Sequence, residues 1–428
     1  MSSAERILVP RRTSDGASVE EQQPSSYRWT ICALLFVATT INYVDRQVLG
    51  ILAPTLQRAL NWSEADYGDI VSWFSFAYAF GFLAAGRVVD WIGVRRGLAG
   101  AVVAWSAAAI GHALAKTVAG FSVARALLGV SESAIFPGSI KAVAEWFPQR
   151  ERALATGIFN AGTNTGAILT PLLVPWIALR WGWQWAFVAT GGLGMLWLFF
   201  WIVFYRDAGT RRNESEGAMK LRWPALFAHR QTWAFIVGKL MADPVWWFYL
   251  YWLPKFLDTK YGVKLGQVAA PIIVVYLIAD VGSVGGGWIS SALIKRGWSV
   301  NRARKTTMLA MALLIVPTTF ASRAPGMWAA VLIVALAAAA HQAWSANVYT
   351  LASDMFPKLA VGSVVGIGAF GGAMGGVLFQ RITGRVLQAN GSDYTPIFVV
   401  CGLAYVTAWL IIHLLAPRLE PVRLEITA

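Results

Sequence analysis

Long runs of apolar residues, separated by short polar segments, make up most of this chain from Trp29 to Ala416. Runs of about 18 residues or more are typical of transmembrane helices, because a helix of that length crosses the hydrocarbon core of a bilayer. The runs are too long and too unbroken for barrel strands, so we predict an all-α integral membrane protein. About twelve spans are predicted, over residues 29–54, 67–90, 97–116, 118–143, 152–178, 182–205, 231–256, 268–293, 305–322, 326–352, 361–388 and 395–416.

The longest polar interruption, residues 206–230, predicts a cytoplasmic linker between two six-helix bundles, at 29–205 and 231–416. Residues 1–28 are rich in Ser, Glu and Gln and lack the apolar core of a signal peptide, so we predict a disordered cytoplasmic tail. A second cytoplasmic tail is predicted over residues 417–428. The pattern therefore predicts two membrane domains in one chain.

The two bundles show weak internal similarity. The segment EWFP at 145–148 matches DMFP at 354–357, and the same offset places Glu132 opposite His341. Repeats of this size, with a site between them near the middle of the membrane, are typical of secondary transporters. We therefore predict two halves that are related by a pseudo-two-fold axis.

Charge and composition agree with this topology. The chain is 57% apolar and only 14% charged, outside the range of soluble domains, and its formal net charge is +14. Because short cytoplasmic loops are rich in Lys and Arg, the cation-rich loops and both termini are predicted to be cytoplasmic, and no nucleic-acid partner is needed to explain the charge. Lys255, Lys260 and Lys264 lie on the opposite side as an exception. The cation-rich loops hold Arg87, Arg95, Arg96, Arg150, Arg152, Arg206, Arg211, Arg212, Lys220, Arg222, Arg230, Lys295, Arg296, Arg302, Arg304 and Lys305.

Several function classes lack their characteristic residues in this sequence. It contains no HExxH motif, no Cys/His cluster and no P-loop, so we predict no enzyme activity, no metal, no cofactor and no ATP-driven transport. Cys32 and Cys401 lie within apolar runs, where a free thiol behaves as a small hydrophobic group. A sensor that uses a transporter fold without transporting remains an alternative.

Ionisable residues recur inside the predicted spans, where their cost indicates a function. Arg125 and Glu132 are seven residues apart on one predicted helix, so they lie about 20° apart in angle and about 10 Å apart along the axis, on one face. A structural alternative is that such charges neutralise one another and set the helix register. Lys239 and Asp243, spaced i to i+4, can likewise form an ion pair within their own helix. The set comprises Asp45, Arg46, Arg125, Glu132, Lys239, Asp243, Asp280 and His341.

The predicted cytoplasmic loop GRVVDWIGVRR, at residues 86–96, carries a family resemblance. It resembles the loop between the second and third helices of the major facilitator superfamily, although the second-half copy has Ser291 where an acid is expected. The resemblance implies a twelve-helix fold in which the first, fourth, seventh and tenth helices line a central cavity. The residues that carry it are Gly86, Asp90, Gly93, Arg95 and Arg96.

Four segments resemble narrower groups within that superfamily. NYVDR at 42–46 and RALLGVSESAIFP at 125–137 are similar to the anion:cation symporter family. Residues 243–254 and 341–366 resemble its hexuronate branch, the transporters of galacturonate and glucuronate. The resemblance implies a monomer that takes up a hexuronate together with protons across a bacterial inner membrane. Another sugar acid or organic anion, such as galactonate or glucarate, is the alternative.

The resemblance also suggests roles for residues. Arg46 offers a planar fork of donors to a substrate carboxylate. Asp45 and Glu132 are the proposed proton carriers, protonated when facing outward and deprotonated inward as ion pairs with arginine re-form. His341 is either a cavity residue or a satisfied structural donor. The predicted substrate contacts are Tyr43, Arg46, Tyr78, Arg125, Lys239, Trp247, Tyr251, His341, Gln342, Trp344 and Asn347. The predicted gating residues are Asp90, Arg95, Arg96, Arg150 and Arg152.

Overall fold

The computed structural model describes residues 26–147, 149–206 and 223–422, and these residues form long helices joined by short turns. The all-α prediction is confirmed for this part of the chain. Residues 1–25 and 423–428 of the predicted tails, and residues 207–222 of the predicted linker, lie outside the described residues. The α-helices are α1 (Tyr27–Leu60), α2 (Glu64–Ile92), α3 (Val94–Leu114), α4 (Val118–Glu132), α5 (Ile135–Trp146), α6 (Gln149–Trp181), α7 (Trp183–Phe204), α8 (Trp223–Phe227), α9 (Arg230–Tyr261), α10 (Ala269–Lys295), α11 (Val300–Ile315), α12 (Met327–Met355), α13 (Lys358–Ala389) and α14 (Thr395–Leu415).

Most of these helices suit a membrane by length and composition. Within the described residues, nine segments are both long and apolar enough to cross a bilayer. The helices α1, α6 and α9 are also long, at 34, 33 and 32 residues. These three helices are not among the nine segments because their sequences are more polar or contain more charged residues. The count of twelve spans therefore stays a prediction.

Two spans contain a break where the pattern predicts a continuous helix. In the fourth span, α4 ends at Glu132 and α5 begins three residues later. Pro137 lacks the N–H that would bond to the carbonyl of Ser133, and its ring crowds that carbonyl, so the α-helix is interrupted there. In the ninth span, Pro317 has the same effect, and the chain continues as a 3₁₀-helix over Val316–Arg323. The first break places Glu132 at a helix end inside the membrane.

The helices pack as two groups that meet mainly along three pairs of helices. Helices α1 to α7, the N-terminal half, pack mainly as α1 with α6, α2 with α4, and α3 with α7. Helices α9 to α14, the C-terminal half, pack mainly as α10 with α12 and α9 with α13. The halves meet where α1 contacts α9, α2 contacts α13 and α6 contacts α10. At Gly50 a Cβ atom would lie only 2.9 Å from the carbonyl oxygen of Leu250, so α1 and α9 approach backbone to backbone.

Candidate functional site

A buried ion pair joins α1 to α4 near the middle of the molecule. The Nε and Nη2 atoms of Arg46 donate to one oxygen of Glu132, at 3.2 and 3.1 Å. Nη2 also lies 3.5 Å from the side-chain oxygen of Asn42. Arg46 is 5% exposed and Glu132 is fully buried. A buried charge pair in this setting is costly, so a functional reason for it is expected.

Arg125 adds a second cation to this pair. It is fully buried, and its Nη1 and Nη2 atoms donate to the backbone carbonyl of Arg46 at 3.4 and 3.3 Å. Both residues of α4 thus contact Arg46 of α1. Glu132 accepts from the side chain of Arg46, and Arg125 donates to the backbone carbonyl of Arg46. When all three groups are ionised they carry one excess positive charge, which suits an anionic ligand.

Aromatic rings surround the two arginines. The guanidinium of Arg125 lies 4.7 Å from the ring centroid of Phe74 and 5.5 Å from that of Tyr251. Phe74 is absent from the predicted contacts, although it precedes Tyr78 by four residues and therefore shares its helix face. The four-residue spacing from Tyr78 is the sequence signal that identifies Phe74 as a site residue. The rings around the Arg46 guanidinium are those of Tyr43 at 5.0 Å, Phe74 at 5.0 Å, Tyr78 at 4.9 Å and Trp247 at 5.8 Å. We call Arg46, Glu132, Arg125 and these five aromatic residues the Arg46 cluster.

Asp45 lies apart from the Arg46 cluster although it is the next residue in the chain. It is 2% exposed and faces Thr190 of α7. Neither of its carboxylate oxygens accepts a hydrogen bond from a described residue, and no described cation forms an ion pair with it. Successive residues on a helix point about 100° apart, so Asp45 and Arg46 face different neighbours.

Lys239 makes its contacts within the C-terminal half. Its Nζ atom lies 2.9 Å from a carboxylate oxygen of Asp243, four residues on, and 2.9 Å from the hydroxyl oxygen of Tyr349. This is the i to i+4 pair that the sequence offers as the structural alternative. Tyr349 itself is 43% exposed, which places this ion pair beside an accessible surface.

The predicted contacts on α12 also belong to the C-terminal half. The Nδ1 atom of His341 lies 2.6 Å from the hydroxyl of Tyr405, and its ring stacks on Trp246 at 5.0 Å. Trp344 is fully buried beside Tyr405. Asn347 donates to the carbonyls of Gly286 and Ala343, at 3.2 and 2.9 Å, and so connects α12 to α10. Gln342 is half-buried.

The predicted gating residues lie near the end of α2 and the starts of α3 and α6. The side chains of Asp90, Arg150 and Arg152 lie outside the described residues. Arg95 donates to the carbonyl of Ile202 at 2.9 Å, a contact within the N-terminal half. Arg96 is exposed. The prediction that these residues hold the two halves together thus has no described contact across the halves in support.

Charged contacts between the halves occur instead at the opposite end of the helices. Lys255 of α9 is 3% exposed, and its Nζ atom donates to Glu64 at the start of α2. Lys255 is one of the three cations that break the positive-inside pattern, and this exception is the sequence signal for the contact. The inter-half pairs comprise Lys255 with Glu64, Arg381 with Asp69 at 3.2 Å, and Arg58 with Asp258 at 3.0 Å. We call these three pairs the outer clamp.

Comparison with known proteins places the chain in a transporter context. The family model described as the Major Facilitator Superfamily matches residues 35–379. A hexuronate transporter of Escherichia coli (strain K12) is 30% identical over 392 residues, which are 87% of this chain and 90% of the relative. A D-galactonate transporter of Escherichia coli (O6:H1) is 26% identical over 424 residues, 93% and 96% of the two chains. A crystal structure of a D-xylose-proton symporter superposes with a TM-score of 0.73 at 18% identity, covering 93% of this chain and all of the other.

Proposed function

Since the chain belongs to the major facilitator superfamily, we propose that it takes up a hexuronate such as galacturonate or glucuronate together with protons, by alternating access across a bacterial inner membrane. It is a multi-pass membrane transporter and not an enzyme. The observation that carries the proposal is the buried Arg46–Glu132 pair inside a ring of aromatic side chains. The 30% identity to a hexuronate transporter over most of both chains supports the substrate class. A monomer suffices, since α1 and α4 of one chain supply both charges of the pair.

The donors that Arg46 offers to Glu132 are the ones that suit a substrate carboxylate. Nε and Nη2 lie on one edge of the guanidinium and match the two oxygens of a planar carboxylate. In this conformer Glu132 occupies that edge. A protonated Glu132 is a weak competitor, because it has lost the charge that Arg46 attracts. Protonation of Glu132 and binding of the sugar acid therefore favour each other, which is the linkage that a symporter needs.

The aromatic rings around Arg46 suit the remainder of a hexuronate. The sugar ring presents C–H faces that stack on aromatic surfaces, while its hydroxyls need polar partners. Three ring centroids lie 5.0, 4.9 and 5.8 Å from the guanidinium carbon of Arg46, those of Tyr43, Tyr78 and Trp247. The two tyrosines also carry phenol hydroxyls, which are polar partners for sugar hydroxyls. We assign these three residues to sugar contacts. Lys239 and His341, which have partners in the C-terminal half, are assigned to the cavity wall.

Asp45 is proposed as a second proton carrier. Burial of an ionised carboxylate without a cation partner is costly, and no described cation forms an ion pair with Asp45, whose polar neighbour is the Thr190 hydroxyl. The protonated acid is the form that this environment tolerates. Movement of α1 against α7 during the transport cycle would change that environment and release the proton. Asp45 would thus carry a proton without competing with the substrate carboxylate for Arg46, as Glu132 does.

The outer clamp supports an alternating-access cycle in which this conformer is closed to the outside. Its three ion pairs lie at the ends of α1, α2, α9 and α13 that the positive-inside rule places on the extracellular side. Tyr67 reinforces it by donating to the carbonyl of Tyr251 at 2.6 Å. Tyr251 also lies over Arg125, so one segment of α9 contacts both the clamp and the Arg46 cluster.

Weakening the outer clamp is expected to shift the protein towards an outward-open state. Substitution of Lys255 by Met leaves Glu64 with an unpaired carboxylate at a buried contact, which destabilises the closed state. Spin labels on Ala59→Cys and Lys260→Cys, measured by double electron–electron resonance in nanodiscs, are expected to report a second, longer distance in the K255M protein.

The matched control is Lys264→Met, because Lys264 is an exposed lysine near the same extracellular end of the molecule. It is expected to leave the distance distribution unchanged. The native thiols of Cys32 and Cys401 are buried, so they should escape labelling. A K255M distribution identical to that of the parent would contradict a gating role for the outer clamp.

Uptake into proteoliposomes tests the proposed function. Labelled galacturonate is expected to accumulate faster with an inward proton gradient, and unlabelled glucuronate is expected to compete best. Competition by galactonate or glucarate alone would move the substrate to another sugar acid, an alternative that the similarity to a D-galactonate transporter favours. Binding without uptake of any sugar acid would favour a sensor.

A further inference from the structure

Asp280 is a further carboxylate inside the predicted membrane region, and the preceding assignments give it no role. Asp280 is the one acidic residue in the sequence of α10, and it is half-buried. A carboxylate at this depth is expected to have a partner and a function. No described Lys, Arg or His forms an ion pair with it. Its described hydrogen bond comes from the side-chain amide of Asn164 on α6, in the other half of the molecule.

Asn164 lies at about the same depth along the helices as the Arg46 cluster. It is near the middle of α6, two residues before Gly166, where α6 and α1 touch. A Cβ atom on Gly166 would lie 2.6 Å from the carbonyl oxygen of Thr40 and 2.8 Å from the Cβ of Tyr43. Tyr43 is one of the rings around Arg46. The Asn164–Asp280 contact is therefore at the level of the cluster, at the seam between the halves.

Polar and small residues continue from this contact towards the cytoplasmic side. On α6, Asn160 is exposed one turn before Asn164, and on α10, Ser283 is exposed three residues after Asp280. Around the axis of α10, Asp280 lies between Ser283 on one side and the exposed apolar residues Val284 and Val281, at 76% and 73% exposure, on the other. Exposed polar side chains on a membrane helix indicate a water-filled crevice rather than contact with lipid. The Asn164–Asp280 pair lies at the inner end of that crevice.

The chemistry of this pair complements that of Arg46. A carboxylate accepts hydrogen bonds from two neighbouring hydroxyls, and an amide both donates and accepts. Asp280 repels the carboxylate of a sugar acid, so it favours the orientation in which the acid group meets Arg46 and the hydroxyls point across the seam. We propose that Asp280, positioned by Asn164, binds substrate hydroxyls and determines which epimer of the sugar acid is preferred. This proposal rests on the proposed function.

A simpler role for the Asn164–Asp280 hydrogen bond is to stabilise the packing of α6 against α10. A bond of that kind affects the transport of every substrate alike, because it acts on the movement of the halves. A hydroxyl-binding group affects ligands according to their hydroxyls. The two roles are therefore separated by comparing ligands rather than by loss of activity.

The test measures the KM of two hexuronates and the inhibition constant of a third ligand, in proteoliposomes that contain wild-type protein or the Asp280→Asn variant. Galacturonate and glucuronate differ in the orientation of one hydroxyl, and tetrahydropyran-2-carboxylate, used as a competitor, keeps the ring acid without the hydroxyls. We expect the KM of both hexuronates to rise at least tenfold, and the ratio between them to change at least threefold. The inhibition constant of the hydroxyl-free acid is expected to change less than twofold.

Equal changes for all three ligands, or no change, would overturn the proposal while leaving sugar-acid transport intact. If the wild-type protein transports neither hexuronate, the proposed function fails and this proposal fails with it. Glu420→Gln, at an exposed carboxylate of the cytoplasmic segment, is the control and should change no constant. If D280N does not give a monodisperse protein, Asn164→Ala is expected to change the same ratio in the same direction, and an unchanged ratio would overturn the proposal.

Discussion

Replacement of Arg46 by lysine is expected to lower sugar-acid uptake about 100-fold. Lysine keeps the positive charge but loses the planar edge that now holds Glu132 at 3.2 and 3.1 Å. Loss of a charge-assisted hydrogen bond in a buried site costs about 3 kcal/mol, which corresponds to about two orders of magnitude in binding. Initial uptake rates in proteoliposomes, at a substrate concentration below the wild-type KM, measure this effect.

The matched control for R46K is Arg58→Lys, the same substitution on the same helix. The side chain of Arg58 is 59% exposed and meets Asp258 through one nitrogen, so lysine, which keeps the charge, should replace it adequately. Uptake by R58K is expected to stay within about twofold of the wild type. An R46K protein that retains more than a tenth of wild-type uptake would show that bidentate recognition by Arg46 does not hold the substrate.

The second large effect is expected for Glu132→Gln, which should abolish accumulation driven by a proton gradient. Glutamine carries no exchangeable proton, and as a neutral side chain it leaves the Arg46 edge open to substrate at every pH. The variant is therefore expected to bind and exchange substrate while losing the link to protons. Asp45 cannot restore that link, because its side chain has no described contact with that of Arg46 through which its proton could affect substrate binding. Counterflow of labelled substrate into preloaded proteoliposomes should persist near the wild-type rate, and gradient-stimulated uptake should fall to the level seen without a gradient.

Glu420→Gln serves as the control for E132Q, since Glu420 is exposed and far from the membrane interior. It should preserve both counterflow and accumulation. Persistence of substrate-driven acidification in E132Q liposomes would contradict the role of Glu132 as a proton carrier. Loss of counterflow together with accumulation would indicate damage to the site rather than uncoupling.

The central charges were predictable because helix geometry constrains them strongly. The seven-residue spacing of Arg125 and Glu132 places both on one face, and the structure brings both to α1 at Arg46. The same geometry separates Asp45 from Arg46, because adjacent residues on a helix diverge by about 100°. Asp45 and Arg46 are neighbours in the sequence, but Asp45 lies beside Thr190 of α7 while Arg46 meets Glu132 of α4.

Contacts between segments that are distant in the chain could not be predicted from the sequence. Glu64 and Lys255 are 191 residues apart, and nothing local to either residue identifies its partner. Only the departure of Lys255 from the positive-inside pattern marked it as unusual. For Lys239, by contrast, the partner was four residues away, and the i to i+4 alternative matched the structure. Local spacing thus predicts contacts within a helix, while inter-half contacts depend on how the helices pack.

A pH-sensitive dye inside proteoliposomes measures the coupling between substrate and proton movement most directly. With equal pH on both sides and the membrane potential clamped at zero, addition of galacturonate outside is expected to acidify the lumen. Galactose, which lacks the carboxylate, should cause no change. Entry of labelled galacturonate without acidification would contradict proton symport, and acidification by galactose would contradict recognition of the acid group through Arg46.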